Sequence, residues 1–269
     1  MSLIRKIKKI DKNERLIVMK LIKQDYTVTH NDLIEKYSLD QLTEREQNIL
    51  MVLLSQIQKS DSFEKISLKR VKNLIDKKMT YAKLVDEIRE LGNKRLTLIS
   101  MKEIHDKKGN LISKKNDIWL PVLFSTIIIH EDEKSVSVKF NSDFEYIFYQ
   151  IKGDFSKLNI KSFLGLKSLK WKTLYRFCKR WVNYDSGVDI TLSNFKKIIG
   201  YEEEDEYKNI KRRVASAVKK INEISDITVD IFEKKQGRKV TSLVFKVTEK
   251  KYSDIQLKML EMSQKFSEE

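Results

Sequence analysis

One order of elements, readable twice along the chain, constrains the fold more than any single residue does. The order is helix, short β-prone stretch, helix, helix, hairpin. With seven glycines and one proline in 269 residues, boundaries must come from hydrophobic periodicity. In the first copy, Thr43 with Glu46 three residues on is a helix start, and Ile49, Leu50, Leu53, Leu54 and Ile57 give the helix over 43–58 an apolar face. Ile66-Ser67-Leu68-Lys69 leads into a short helix ending near Asp76. Thr80 caps a third helix from Tyr81 to about Lys94, with Leu84, Val85, Ile88 and Leu91 inward. Two hairpins are expected next, Leu96–Ile104 with Leu111–Leu120 and Thr126–His130 with Ser135–Phe140. A helix over 143–151 closes the unit.

The second copy runs helix 168–183, a stretch Ile190–Ser193, a helix stopped by Gly200, and a long helix from Tyr207 to Ile224. A hairpin follows, Ile227–Phe232 and Val240–Val247 around Gln236-Gly237. This is the order of a winged helix-turn-helix, in which the third helix can enter a major groove and the hairpin can reach phosphates. The expected class is α+β, two tandem winged helices. The expected domains are an amphipathic helical arm (1–26), winged helix 1 (27–152), winged helix 2 (153–250) and a polar helical tail (251–269).

Charge narrows the partner. Lys plus Arg number 54 and Asp plus Glu 39, a formal net charge of +15. Such an excess suits a polyanion, with nucleic acid ahead of an anionic membrane surface, although net charge also serves solubility. The single cysteine, Cys178, can neither close an intrachain disulfide nor hold a structural zinc alone, so an intracellular, cytoplasmic protein is expected. No apolar run reaches the roughly 18 residues of a membrane span. His30, His105 and His130 are widely spaced, and neither a P-loop nor a dinucleotide fingerprint is present.

The strongest binding candidate is the helix over 207–224. Placed at 100° per residue, Ile210, Val214, Ala217, Ile221 and Ile224 form a core stripe. Lys208, Arg212, Ala215, Ser216 and Lys219 fall opposite, flanked by Asn209, Lys211, Arg213 and Lys220. A solvated face normally mixes signs for i,i+4 support, whereas this one carries a single sign. Arg pairs with guanine, Asn with adenine, and small residues let the helix approach. Lys234, Lys235, Arg238 and Lys239 make the hairpin tip basic, for phosphate contact or for lysine protection of an edge strand. Residues 161–180 mix seven basic residues with aromatics, read mainly as core at Leu174, Tyr175 and Cys178 and, just beyond, at Trp181. Lys170 and Lys172 are phosphate candidates near that helix's start. In the first unit the third helix is mixed in charge, and Lys69, Lys72, Tyr81 and Lys83 are its candidate contacts.

Catalysis has little support. The one acidic cluster, Glu202 to Glu206, is consecutive and reads as the lead-in to a helix N-terminus, and no histidine pair stands by for a nicking tyrosine. The expectation is no enzyme, no cofactor and no metal.

The segments "YAKLVDEIRELGNKRLTL", "LKSLKWKTLYRFCKRW" and above all "YKNIKRRVASAVKKINEISDITVDIFEKKQGRKVTSLVF" resemble the iteron-binding plasmid replication initiator family, over about residues 27–247. The resemblance implies that the second winged helix reads origin repeats through Lys208, Lys211, Arg212, Arg213, Ser216 and Lys219, with Arg238 and Lys239 on the wing. It implies that the first adds DNA contacts as a monomer and forms a homodimer interface. It also implies origin opening, contact with host replication proteins such as the helicase or its loader, and repression of the protein's own promoter. A repressor of the same fold without an origin role, a nicking enzyme and a membrane-surface binder are the competing readings.

Overall fold

The computed structural model describes residues 26–31, 39–57, 65–105, 111–131, 134–144, 155–182 and 184–250. The expected N-terminal arm, C-terminal tail and most of the helix at 143–151 lie outside the described residues. Between them stand β1 (Tyr26–His30), α1 (Glu44–Gln56), β2 (Lys65–Ser67), α2 (Leu68–Ile75), α3 (Tyr81–Gly92), β3 (Leu98–His105), β4 (Leu111–Trp119), β5 (Phe124–His130) and β6 (Ser135–Phe140). Then come β7 (Phe155–Asn159), α4 (Ile160–Gly165), α5 (Leu169–Arg180), β8 (Val188–Thr191), α6 (Leu192–Ile199), α7 (Tyr207–Ile224), β9 (Ile227–Gln236) and β10 (Lys239–Glu249).

Local chemistry sets the helix starts. Thr43 and Glu46 close a reciprocal capping box: the Glu46 amide donates to Thr43 Oγ1 at 3.2 Å and the Thr43 amide to Glu46 Oε2 at 2.8 Å. Ser67, Thr80 and Thr191 cap α2, α3 and α6 through their hydroxyls. The apolar stripes these helices carry are buried: Ile49, Leu50 and Leu53 on α1, Leu68 and Val71 on α2, Leu84, Ile88 and Leu91 on α3.

Two three-stranded sheets show that the units are copies of one topology. One has the order β2–β6–β5 and the other β8–β10–β9. In both, the short strand before the second helix pairs with the last strand of the hairpin. The wing of the first unit is therefore β5–β6. The hairpin β3–β4 forms a separate two-stranded sheet, inserted between α3 and the wing. The second wing is longer than the sequence suggests, its strands pairing from Ile227↔Glu249 to Gln236↔Lys239.

One sheet has no counterpart in the sequence reading. Strand β1 pairs antiparallel with β7, from Tyr26↔Asn159 to His30↔Phe155. The boundary expected at 152/153 is thus bridged by hydrogen bonds between the two expected domains. The inward face of this sheet is largely polar: Thr27, Thr29 and Ser156 are buried beside Leu158, and Ser156 Oγ donates to Asn31 Oδ1 at 2.5 Å. Val28 and Phe155 point outward and are exposed. Helix α4, capped by the Asn159 side chain, packs against α1, α2 and α7. Gly165 permits its close approach to α7, since a Cβ there would stand 2.9 Å from Ile224 Cδ1.

Candidate nucleic-acid interface

Helix α7 is set on the core by Ile210, Val214, Ala217 and Ile221, all buried, with Ile224 half-buried. Its far end is pinned to β9. Asn222 Nδ2 donates to the Val229 carbonyl at 2.9 Å, and the Val229 amide donates to Asn222 Oδ1 at 2.7 Å. Beyond it, Asp226 is buried and accepts from Tyr175 Oη at 2.5 Å and Lys179 Nζ at 2.9 Å, tying the base of α7 to α5. At the near end, Gly200 closes α6 in the left-handed conformation (φ 74°), which turns the chain toward α7. Lys196 Nζ donates to the Glu203 carbonyl at 2.5 Å, and the Asp205 carboxylate accepts from the Glu202 amide at 3.1 Å. The acidic run is a folded connection between helices; no group of three or more potential metal ligands occurs among the described residues.

With the apolar stripe fixed inward, the opposite side must face solvent. Lys208, Asn209, Lys211, Arg212, Arg213, Ala215, Ser216 and Lys219 are all exposed, and Lys220 is half-buried. The wing turn beside them has Gly237 at φ 62° and exposed Arg238 and Lys239. Helix α7 packs against β9, the strand that runs into this turn.

The structure divides these cations into two sets, which the sequence does not. Glu233 on β9 accepts from Tyr207 Oη at 2.8 Å and pairs with Lys211 at 2.7 Å and with Lys235 at 3.5 Å. Lys234 pairs with Asp189 of β8 at 2.6 Å, and Lys220 with Glu223 at 3.1 Å. By contrast, Lys208, Arg212, Arg213, Lys219, Arg238 and Lys239 have no ion-pair partner among the described residues. The hydrogen bonds from Lys211 and Tyr207 hold the Glu233 carboxyl below its ordinary range, against a smaller opposing effect of burial. Burial, and then the hydrogen bond to Glu233, push the Tyr207 phenol well up, so Tyr207 keeps its proton and donates.

Two expected phosphate contacts are corrected. Lys172 is fully buried, donates to the Phe163 carbonyl at 2.7 Å and lies 3.8 Å from Glu44 Oε1, so it joins α5 to α4 and α1 and cannot reach a ligand. Burial drives its amine down to about 8, opposed by Glu44 and helped by Lys167 and Arg176. Lys170 is half-buried, donates to the Gly200 carbonyl and sits 4.4 Å from the Tyr201 ring centroid; it braces the turn before α7. Leu174, Tyr175 and Cys178 are core residues, as their helical spacing indicates.

In the first unit Lys69 and Lys83 are exposed. Lys72 donates to the Lys77 carbonyl at 2.7 Å and stands 5.7 Å from the Tyr81 ring. Lys134, absent from the sequence candidates, approaches the same ring to 5.2 Å. It sits at φ 47° in the turn of β5–β6, where the run Glu131-Asp132-Glu133-Lys134 masks it as one charge among acids. The acids of α3 are partly engaged elsewhere, Glu87 with Arg45 at 3.0 Å and Asp86 with Arg89 at 3.3 Å.

Tandem winged helices with a basic third helix and wing in the second unit define the class: a two-domain winged-helix protein. Residues 26–179 match the family described as "Initiator Replication protein, WH1", and residues 191–247 match "Initiator Rep protein, WH2". The chain belongs to this initiator replication protein family. Among solved structures it is similar to the Pi initiator protein in complex with iteron DNA, at 20% identity over 85% of this chain and 99% of that one, TM-score 0.63. A second similar structure is domains 2 and 3 of RctB, at 11% identity over 77% of this chain and 82% of that one, TM-score 0.46. No curated protein sequence matches the chain. Among the described residues no helix is long and apolar enough to cross a membrane.

Proposed function

We propose that this initiator binds repeated double-stranded DNA, the iterons of a plasmid origin, and promotes opening there without catalysing a reaction. The observation that carries the reading is the exposed face of α7: Lys208, Arg212, Arg213 and Lys219, without ion-pair partners among the described residues, surround Ala215 and Ser216, and the wing that follows ends in exposed Arg238 and Lys239. Family membership and the fold shared with an initiator solved on iteron DNA support it. Phosphate neutralisation supplies salt-dependent affinity. Helix α7 supplies sequence choice through Arg212, Asn209 and Ser216. Bending of the bound repeats favours melting of an adjacent A·T-rich segment, a mechanism that needs neither nucleotide nor metal.

The first winged helix adds phosphate contacts around Lys69, Lys72, Tyr81 and Lys83, and in a homodimer it supplies the interface. The dimer represses the protein's own promoter, and the origin-bound monomer receives the host helicase or its loader. The protein works in the cytoplasm, on the plasmid. Footprinting on DNA flanking the coding region tests the reading: regularly phased protection is expected, and a single isolated site would favour a plain repressor. Arg212→Ala should lose ~1–3 kcal/mol in a gel-shift titration on that DNA and relax the choice of one base. Unchanged binding would remove α7 from the groove.

A further inference from the structure

An acid held between α7 and the wing is the feature that DNA affinity alone does not explain. Glu233 lies on the inward face of β9, its side chain only 19% exposed, and three donors converge on it. Tyr207 Oη and Lys211 Nζ share Oε1, and Lys235 Nζ faces Oε2. The two lysines are themselves open to solvent, at 62% and 54%. A carboxylate held between ammonium groups in this way occupies the chemical role of a phosphate. It does so in the groove between α7 and the wing, where the backbone of a docked duplex would run.

We infer that Glu233 is a specificity-determining residue: it withholds Lys211 and Lys235 from any duplex whose phosphates are out of register and releases them only to one seated correctly on α7. The inference rests on the DNA-binding reading above. Non-specific binding is almost wholly a matter of neutralised phosphates, so each lysine kept on an internal acid is subtracted from it. A matched duplex presents phosphates at fixed positions close to both ammonium groups, and charge-assisted hydrogen bonds to phosphate replace those to Glu233. The burial of Glu233 and its bond from Tyr207 keep the carboxylate in place while the lysines swing out. Lys234 is held in a similar way by Asp189, but on an exposed pair with no third donor, so the restraint there is weaker.

The test compares two duplexes with the full chain: one selected from a random library by the wild-type protein, and one of random sequence. Glu233→Gln keeps an acceptor for Tyr207 and removes the charge. It should bind the random duplex about fivefold more tightly, with a log K against log salt slope steeper by about one to two. The selected duplex should gain no more than about twofold, so discrimination falls. Tyr207→Phe, which removes the brace and keeps the charge, should leave the slope as in the wild type. Equal gains on both duplexes, an unchanged slope, or the same change from Tyr207→Phe would overturn the inference and leave Glu233 a structural brace. Arg212→Ala measured alongside separates the two failures. If it weakens the selected duplex while Glu233→Gln behaves as wild type, only the inference falls; if it does not, α7 is not the helix in the groove, and that part of the reading falls and takes the inference with it.

Discussion

A lysine amine keeps its charge at no cost in water, and Lys172 is kept out of water. Its hydrogen bond to the Phe163 carbonyl and its approach to Glu44 do not offset burial, so its amine titrates near 8 in place of the ordinary 10.5. The sign of the consequence follows from proton binding. Below about pH 8 both folded and unfolded chains carry the proton, and the folded one bears the full cost of the buried charge. Between about 8 and 10.5 the unfolded chain binds the proton more, so stability rises with pH across that window. Urea titrations at pH 7.5 and pH 10 should show Lys172→Met lacking roughly 2–3 kcal/mol of the pH-dependent gain that the wild type makes. Equal gains would place the amine in water. Nothing in the sequence separates the buried Lys172 and Lys179 from the half-buried Lys170, because each is a basic residue on an aromatic-rich helix, and only packing tells which are enclosed.

At the scale of the element, local signals were sufficient wherever a helix begins or ends in its own sequence. The Thr43 box, the Thr80 cap and the Gly200 stop are chemistry within a few residues, and the structure places each where the pattern puts it. Gly200→Ala imposes a Cβ on a left-handed residue at φ 74°, and should cost about 1 kcal/mol in chemical denaturation. Because that turn aims α7, the same variant should weaken DNA binding more than a substitution of equal stability cost on α1, such as Thr43→Ala. A binding loss matched between the two would mean that the turn does not orient the helix. Strands were less legible. In β1 and the start of β7 the usual hydropathy is inverted, with Thr27, Thr29 and Ser156 inside and Val28 and Phe155 outside; Leu158 is the one apolar residue on the inner face, too little for alternation to signal a strand. The partners are also more than a hundred residues apart, beyond any local rule.

For the whole molecule, the pairing of β1 with β7, the seating of α4 against both winged helices and the Lys172–Glu44 contact join the two units through one continuous apolar core. Calorimetry of the full chain should therefore give one transition with van't Hoff and calorimetric enthalpies in agreement. Two resolved transitions would show the units to be independent. The tandem order, the basic third helix and the wing were written in periodicity and charge, since a stripe every 3.6 residues and a single-sign face are properties of neighbouring residues. Which lysines are enclosed, which are held by Glu233 and Asp189, and which strands close the gap between the units was decided only by the tertiary structure. Burial and ion pairing depend on groups brought together from distant parts of the chain, and their effect on a charge depends on the water they displace.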